Sequence, residues 1–490
     1  MKKSSHTSVT GLAWGDEAKG NKVDELAEQH DGGVRNNGGN NAGHTVVVDG
    51  EEVSTSQIPS IVFEIKKNPQ KWMYIGPGSV LDMPALVDEG EKISRAIGMP
   101  NVFGRLRIAA NTSVTQPHHI MQDLASGAMV GTTGRGIGWV YRAQCERVDG
   151  DRRTDILFGD IADNPDHYFD LMERNLLVEL ERLHGGFYQL DKKQIDEIAA
   201  KFNVSERIDR QKAAFSRIQH CMEFDPLFIV KQMRSGQRVL FEGAQSIYLG
   251  KKTGITPNIT ASDTTPGALF SSLFIPMDEF KIRNIGVTKC FPTRVGFGPM
   301  PTRFGGKQAE DYAMEDGGKR HVRDVEHAEF GHRINEMLRS DNDFEIGRAL
   351  RHETRNYGVQ SQRPRCAGWI DAVATGNAVE IAQIDEIFLS QVDFLRLYSK
   401  IKSGMRLGVR YTINGKPIDN FPMTDARMRS VVVENEYFEP FDKDLSTMHS
   451  QDEIPLNCMR HLKRCQELFG CPITGIGVGP GRTQKIKLNI

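Results

Sequence analysis

Asp16, Lys19 and His44 stand in or beside glycine-rich turns near the start of this 490-residue chain, and together they suit chemistry on phosphate. The first turn reads Gly15-Asp16-Glu17-Ala18-Lys19-Gly20. Glycines after a strand free backbone N–H groups to face a phosphate, and the helix that follows adds its positive end. Lys19 neutralises phosphate charge, and Asp16 suits a divalent cation or a transferred proton. The turn lacks the longer spacing and Lys-Ser/Thr pair of a Walker A loop, and by itself it also fits an ordinary capped turn. The second turn, Asn36-Asn37-Gly38-Gly39-Asn40-Asn41-Ala42-Gly43-His44-Thr45, suits neither helix nor strand and is shaped for close approach of a ligand. A third segment, Gly131-Thr132-Thr133-Gly134-Arg135-Gly136-Ile137-Gly138, alternates glycine with two hydroxyls and a guanidinium, the donors that hold a monophosphate.

Such turns need a scaffold that presents them at one edge. The apolar run at 8–14 precedes the first turn, and a helical pattern through Val23, Leu26 and Ala27 follows it. The alternation recurs: a strand at 73–75 before a helix at 84–97, a strand at 237–241 before a loop at 242–245, a helix at 371–382 before a strand at 386–389, and a helix at 458–469 before a strand at 473–478. This pattern predicts an α/β fold with a large, mostly parallel central sheet flanked by helices. The short apolar run 46–48 after His44 also predicts a strand. Residues 160–232 are charged and helical in pattern, a helical excursion from the sheet. Residues 304–357, rich in His, Arg, Asp and Glu with helical periodicity near 332–338, read as an insertion. Alternating residues around Asn414-Gly415 predict a small antiparallel hairpin at 405–419. The whole reads as one domain over 1–490.

The net charge of -2 gives no basic field for nucleic acid. Seven scattered cysteines without a CxxC pair argue against a disulfide framework or zinc site and favour a reducing compartment. Residues 1–10 carry no signal-peptide core, and no apolar run reaches membrane-spanning length. A cytoplasmic protein that contacts neither membrane nor nucleic acid is expected.

With these motifs in order, the chain resembles the adenylosuccinate synthetase family. That family carries GDEGKG, NAGHT and GTTGRGIG at matching separations. Further matches follow in sequence: Phe241-Glu242-Gly243-Ala244-Gln245, Thr260, Thr293-Arg294-Val295-Gly296-Phe297-Gly298-Pro299, Arg363-Pro364-Arg365, Gly368-Trp369-Ile370-Asp371 and Gly479-Pro480-Gly481-Arg482. The resemblance covers nearly the whole chain apart from the excursion and the insertion.

The resemblance implies a P-loop NTPase-like α/β fold and a ligase that joins L-aspartate to the six-position of a purine monophosphate, IMP or dIMP, through a 6-phosphoryl intermediate. It implies catalytic roles for Asp16 as general base, His44 as general acid, Lys19 and Gln245. It points to Asn41, Thr133, Arg147, Gln245, Thr260 and Arg363 for the purine monophosphate, with Arg147 reaching across a homodimer interface. Ser361, Arg363 and Arg365 would take L-aspartate. Gly15, Glu17, Ala18, Lys19, Gly20, Thr45, Gln391, Asp393, Gly479 and Pro480 would take the nucleoside triphosphate, GTP or ATP. Asp16 and the carbonyl of Gly43 would hold Mg²⁺.

The sequence departs from the family at several places. Ala18 replaces a glycine, which requires an ordinary backbone conformation there. Ser361 stands for a threonine, and Gln360 and Gln362 have no family role. Gln391 replaces the lysine that covers guanine, and Gly477 replaces a serine, so ATP becomes a donor to consider. The Arg-Pro-Arg pattern resembles the archaeal and phage branches, one of which acts on dGMP; the presence of Asp16 favours an inosine-type acceptor instead. A nucleotide-binding regulator on this scaffold is the reading from a different class.

Overall fold

The computed structural model describes residues 6–48, 51–126, 131–294, 296–358 and 362–490. Ten strands make the central sheet: β1 (His6–Gly11), β2 (Gly32–Arg35), β3 (Trp72–Ile75), β4 (Leu106–Ala109), β5 (Met222–Glu223), β6 (Val239–Ser246), β7 (Ile282–Lys289), β8 (Glu386–Ser390), β9 (Ile473–Gly477) and β10 (Lys485–Lys487). Their spatial order is β5-β4-β3-β2-β6-β1-β7-β8-β9-β10. Every neighbouring pair is parallel except β9 with β10, which is antiparallel. From β1 the chain steps outward through β2 to β5. It then returns to place β6 beside β1 and builds the other half with β7 to β10. In such sheets a crevice opens at the carboxyl ends where the direction of winding reverses.

The parallel strands are covered on both faces, so their side chains are apolar in both directions. Met73, Ile75, Ile108 and Leu240 enter one core. Their chain neighbours Tyr74, Ala109, Val239 and Phe241 enter another. This is the period-2 alternation of an extended chain. A third and larger core lies under the carboxyl-terminal half and includes Trp14, Phe291, Phe388's neighbour Leu389, Leu397 and Ile476.

The helices at Met83–Ile97, Ala372–Ala382 and Leu456–Phe469 form where the apolar spacing predicts them. The first begins with Asp82 accepting from the Ala85 N–H at 3.1 Å and ends on Gly98 in a left-handed conformation. Residues 160–232 are helical, chiefly Pro165–His184, Lys192–Ala199 and Val204–Ile218, but they also supply the edge strand β5. Residues 304–357 form helices at Gly306–Met314, Arg323–Phe330, Ile334–Leu338 and Asp343–Glu353. Phe304, Phe330, Leu338 and Leu350 bury this segment in the large core, so it is an integral layer of the fold. The hairpin around Asn414-Gly415 joins Met405–Ile413 to Lys416–Pro417, while the longer partner of Met405–Ile413 is Val432–Phe438.

Two expectations are corrected. Residues 12–14 leave the first strand, which ends at Gly11. Residues 242–245 are not a loop: β6 continues to Ser246 through a bulge, since Val9 pairs Glu242 while Gly11 pairs Ser246. Glycine and glutamine disguised that strand.

Candidate functional site

The turns after β1, β2, β6, β7, β8 and β9 all emerge at the carboxyl edge of the sheet. The first turn winds through left-handed conformations at Gly15 (φ 107°), Asp16 (φ 59°) and Ala18 (φ 63°). Such a turn aims backbone N–H groups into a concavity. Ala18 therefore occupies a conformation that disfavours a Cβ, contrary to the requirement drawn from the sequence, at a cost of about 1–2 kcal/mol. Glu17 is wholly buried. Its carboxylate accepts from the Gly15 N–H at 2.8 Å, from the Ser246 hydroxyl and from Lys19 Nζ at 2.9 Å. The Glu17 side chain thus braces the turn from within the protein.

Asp16 is partly exposed, with Oδ2 2.7 Å from Arg365 Nε. Burial alone would raise its pKa. Arg365, Lys289, Lys19 and, when protonated, His44 outweigh burial and hold the carboxyl below its ordinary range. Asp16 and His44 are therefore close enough to feel each other's charge. Lys19 sits at the start of the helix Lys19–Ala27, 4% exposed.

The second turn is pinned to β6: Asn37 Nδ2 donates to the Ala244 carbonyl at 3.0 Å, and the Ala244 N–H donates to Asn37 Oδ1 at 2.9 Å. Asn41 accepts from the Gly39 N–H at 3.2 Å, and Asn40 donates to Asp82 at 3.1 Å. Gly43 is exposed, and a methyl group built on it would meet nothing within 4 Å. His44 opens the strand His44–Val48, which pairs with Glu51–Thr55; Thr45 lies in that strand.

His44 Nδ1 lies on Glu242 Oε1. Glu242 also accepts from the Ser60 N–H at 2.7 Å and hydroxyl at 2.6 Å, and pairs with Arg35 Nη2 at 3.2 Å. Burial opposes ionisation of Glu242, yet Arg35 and these donors hold its pKa down to about 2. Burial and Arg35 push His44 down to about 4 against the pull of Glu242. At neutral pH the pair is a neutral imidazole donating Nδ1–H to a carboxylate, which fixes the ring and leaves Nε2 unprotonated. An incoming anionic phosphate would favour the imidazolium and make Nε2–H a donor.

The bulge in β6 puts Gln245 at φ 54°, and its buried Oε1 has no partner among the described residues. A methyl group built on Gly38 would meet that oxygen at 3.0 Å, so only glycine lets the amide lie over the second turn. At the end of β7, Lys289 is 1% exposed and donates to Asn356 Oδ1 at 2.9 Å. Burial lowers its pKa to about 8, with Asp16 opposing.

Thr133 is exposed just before the helix Ile137–Glu146, whose start is fixed by Gly136 N–H donating to Asp123 Oδ2 at 2.9 Å. Arg363 Nη1 donates to the Thr132 carbonyl at 3.3 Å, which joins the Arg-Pro-Arg segment to the third glycine-rich segment. The Thr260 N–H donates to the Leu249 carbonyl at 2.7 Å. Ser361 and Gln360 lie outside the described residues. Arg147 stands exposed at the end of its helix with φ 65°.

Beyond β8, Gln391 is left-handed at φ 59°, and a buried oxygen on each of Gln391 and Asp393 lacks a partner among the described residues. Burial raises Asp393 to about 6. Ser390 donates to the Glu17 carbonyl at 2.8 Å, tying this strand to the first turn. Gly479 and Pro480 follow β9, where Gln484 folds back onto the Gly481 N–H at 2.9 Å. In the sequence Glu242 is visible only as part of a motif, and no local pattern marks Arg35, Lys289 or Asn356.

A sequence model of the adenylosuccinate synthetase family matches residues 8–486. The adenylosuccinate synthetase of Cutibacterium acnes is 31% identical over 98% of both chains, and that of Fusobacterium nucleatum 30% identical over 98% of both. The fully ligated adenylosuccinate synthetase of Plasmodium falciparum superposes with a TM-score of 0.79 at 23% identity, over 99% of this chain and 100% of that one. The succinoaminodeoxyadenylate synthetase of cyanophage S-2L, bound to dGMP and to dATP as energy donor, superposes with a TM-score of 0.55 at 16% identity, over 99% and 95%.

Proposed function

The chain belongs to the adenylosuccinate synthetase family of C–N ligases, and from that premise we propose that it joins L-aspartate to the six-carbon of IMP or dIMP at the crevice around Asp16. Asp16, held ionised by its ring of cations, takes the N1 proton of the purine. The six-oxygen then attacks the γ-phosphorus of the triphosphate, and the nucleoside diphosphate leaves. His44, oriented by Glu242, donates from Nε2 toward the transferring phosphoryl group. Gln245, freed by the bulge, holds the purine edge. The amine of L-aspartate attacks the six-carbon, and inorganic phosphate departs.

Asn41, Thr133, Thr260 and Arg363 bind the purine monophosphate, and Ser361, Arg363 and Arg365 bind the L-aspartate carboxylates. In the free protein Arg365 stands on Asp16, and the incoming substrates would take it over. Backbone groups of residues 15–20, with Thr45, Gly479 and Pro480, bind the triphosphate. Asp16 and the carbonyl of Gly43 suit Mg²⁺, which would supply charge neutralisation on the triphosphate. GTP is favoured by Asp393, whose orphaned carboxylate oxygen suits the N1–H and N2–H groups of guanine. Arg147, exposed on its own protomer, supports a homodimer in which it acts on the partner's monophosphate. No helix of the described residues is long and apolar enough to cross a membrane. A cytoplasmic setting accords with the seven free cysteines.

The observation that carries this reading is the Asp16 carboxylate in the first turn, paired with Arg365 at 2.7 Å and within electrostatic reach of Lys19, Lys289 and His44. The test is phosphate release with L-aspartate, one of IMP, dIMP, GMP or dGMP, and GTP or ATP. Turnover with the inosine nucleotides is expected. Silence with every combination leaves a nucleotide-binding regulator, and turnover confined to dGMP reassigns the acceptor.

A further inference from the structure

We propose that residues 304–357 clamp the strand-like segment 362–367 that carries Arg363 and Arg365, and that Glu326 and Arg351 are positioning residues for L-aspartate binding. The inference rests on the proposed ligase reading for its substrate, though not for its geometry.

Glu326, on the helix Arg323–Phe330, and Arg351, on the helix Asp343–Glu353, are 0% and 1% exposed. Arg351 Nε donates to Glu326 Oε2 at 3.0 Å, and its Nη2 also pairs with that carboxylate. The Tyr357 hydroxyl donates to the same group. From this lock, contacts pass directly to the arginine segment. Arg351 Nη1 donates to the Arg365 carbonyl at 3.4 Å, and the Arg365 N–H donates to the Asn356 carbonyl at 3.1 Å. Tyr357 bridges to Pro364. Asn356 also accepts from Lys289, so one residue ties Arg365 to the buried cation behind Asp16.

Earlier residues of 304–357 also reach this segment and the glycine-rich segment at 131–138. A methyl group built on Gly318 would come within 3.1 Å of Arg363 Cδ, and one on Gly131 within 3.0 Å of Met314 Cε. Cys366 Sγ donates to the Ala309 carbonyl at 3.3 Å. A buried ion pair is a weak source of stability compared with apolar packing of the same volume. A charged lock at this place therefore points to fixed geometry, which two guanidinium forks need if they are to meet two carboxylates.

The test uses the full-length protein with Tyr357→Phe, Glu326→Gln and the charge-free pair Glu326→Leu with Arg351→Met. In steady state with IMP, GTP and L-aspartate, the KM for L-aspartate is expected to rise about tenfold, with the KM for GTP within twofold. Amide hydrogen exchange within 362–367 is expected to quicken in the same variants. A purely structural role would lower the active fraction and leave the KM for L-aspartate unchanged, which overturns the proposal. If Glu326→Gln does not fold, Tyr357→Phe, which removes one oxygen, decides alone. If the unaltered protein releases no phosphate, the ligase reading fails, and hydrogen exchange still decides the clamp: unchanged protection in Tyr357→Phe and in the charge-free pair refutes it.

Discussion

Replacing Glu242 by glutamine should reduce turnover while leaving substrate binding nearly intact. Glu242 ionises near 2 in the folded protein instead of at its ordinary 4.5, so its charge contributes about 3 kcal/mol to the folded state at neutral pH. Arg35, His44 and Ser60 share that sum. Because 1.36 kcal/mol is tenfold in rate, the part available to orient and charge His44 caps the loss in kcat at about a hundredfold. A tenfold to hundredfold fall is therefore expected. The KM values for all three substrates should move less than about threefold. The stability difference between the two proteins should be full above pH 4.5 and shrink as the pH falls toward 2, because the natural carboxylate loses its charge over that window. Stopped-flow phosphate release and urea unfolding at pH 7.5 and 4 measure both effects. A folded variant that turns over within threefold of the natural protein would refute the assignment of Glu242 to His44.

Other perturbations test the remaining roles. Asp16→Asn should lower single-turnover phosphate release about a hundredfold or more, and near-normal rates would displace Asp16 as the base. Ala18→Gly should retain activity and stabilise the protein by about 1 kcal/mol, since it removes a left-handed alanine at a modest entropic cost; a lower melting temperature would show that the turn tolerates the methyl. Asp393→Asn should erase a GTP-over-ATP preference. In the natural protein, affinity for GTP should weaken about tenfold per unit as the pH falls below the Asp393 value of about 6, because the protonated acid sets an O–H donor against a guanine N–H and loses its charge; a flat titration between 5 and 7 argues against Asp393. If the proposed homodimer shares its sites, Arg147→Leu should raise the KM for the purine monophosphate without changing the oligomeric state, and an unchanged KM would remove the shared site.

The sequence displayed the turns because glycine, asparagine and hydroxyl residues cluster locally, within ten positions of one another. It concealed what orients them, because those partners are distant in the chain. His44 meets Glu242 across 198 residues, and Asn37 meets Ala244 across 207. Lys289 ends a strand whose alternation is broken by Asn284 and Gly286, so neither the strand nor its buried terminal cation stood out. Strand β6 read as a loop beyond Phe241 because a bulge needs the residues that normally stop a strand. The ring of charges around Asp16 likewise depends on Arg365, from a segment held by residues distant in the chain: Arg351, Thr132 and the strand at 293–294.

The position of β1 between β6 and β7 has a consequence for biosynthesis. The first strand to leave the ribosome has neither neighbour until residues 239–246 and 282–289 have been made. The first turn has no Ser390 behind it and no Arg365 on Asp16 until later still. The nascent amino-terminal half must therefore wait with an unpaired strand of its future centre, a state open to mispairing that chaperones recognise. Slowing translation just before residue 239 should lengthen that wait and raise the aggregated fraction, whereas the same pause after residue 390 should be tolerated.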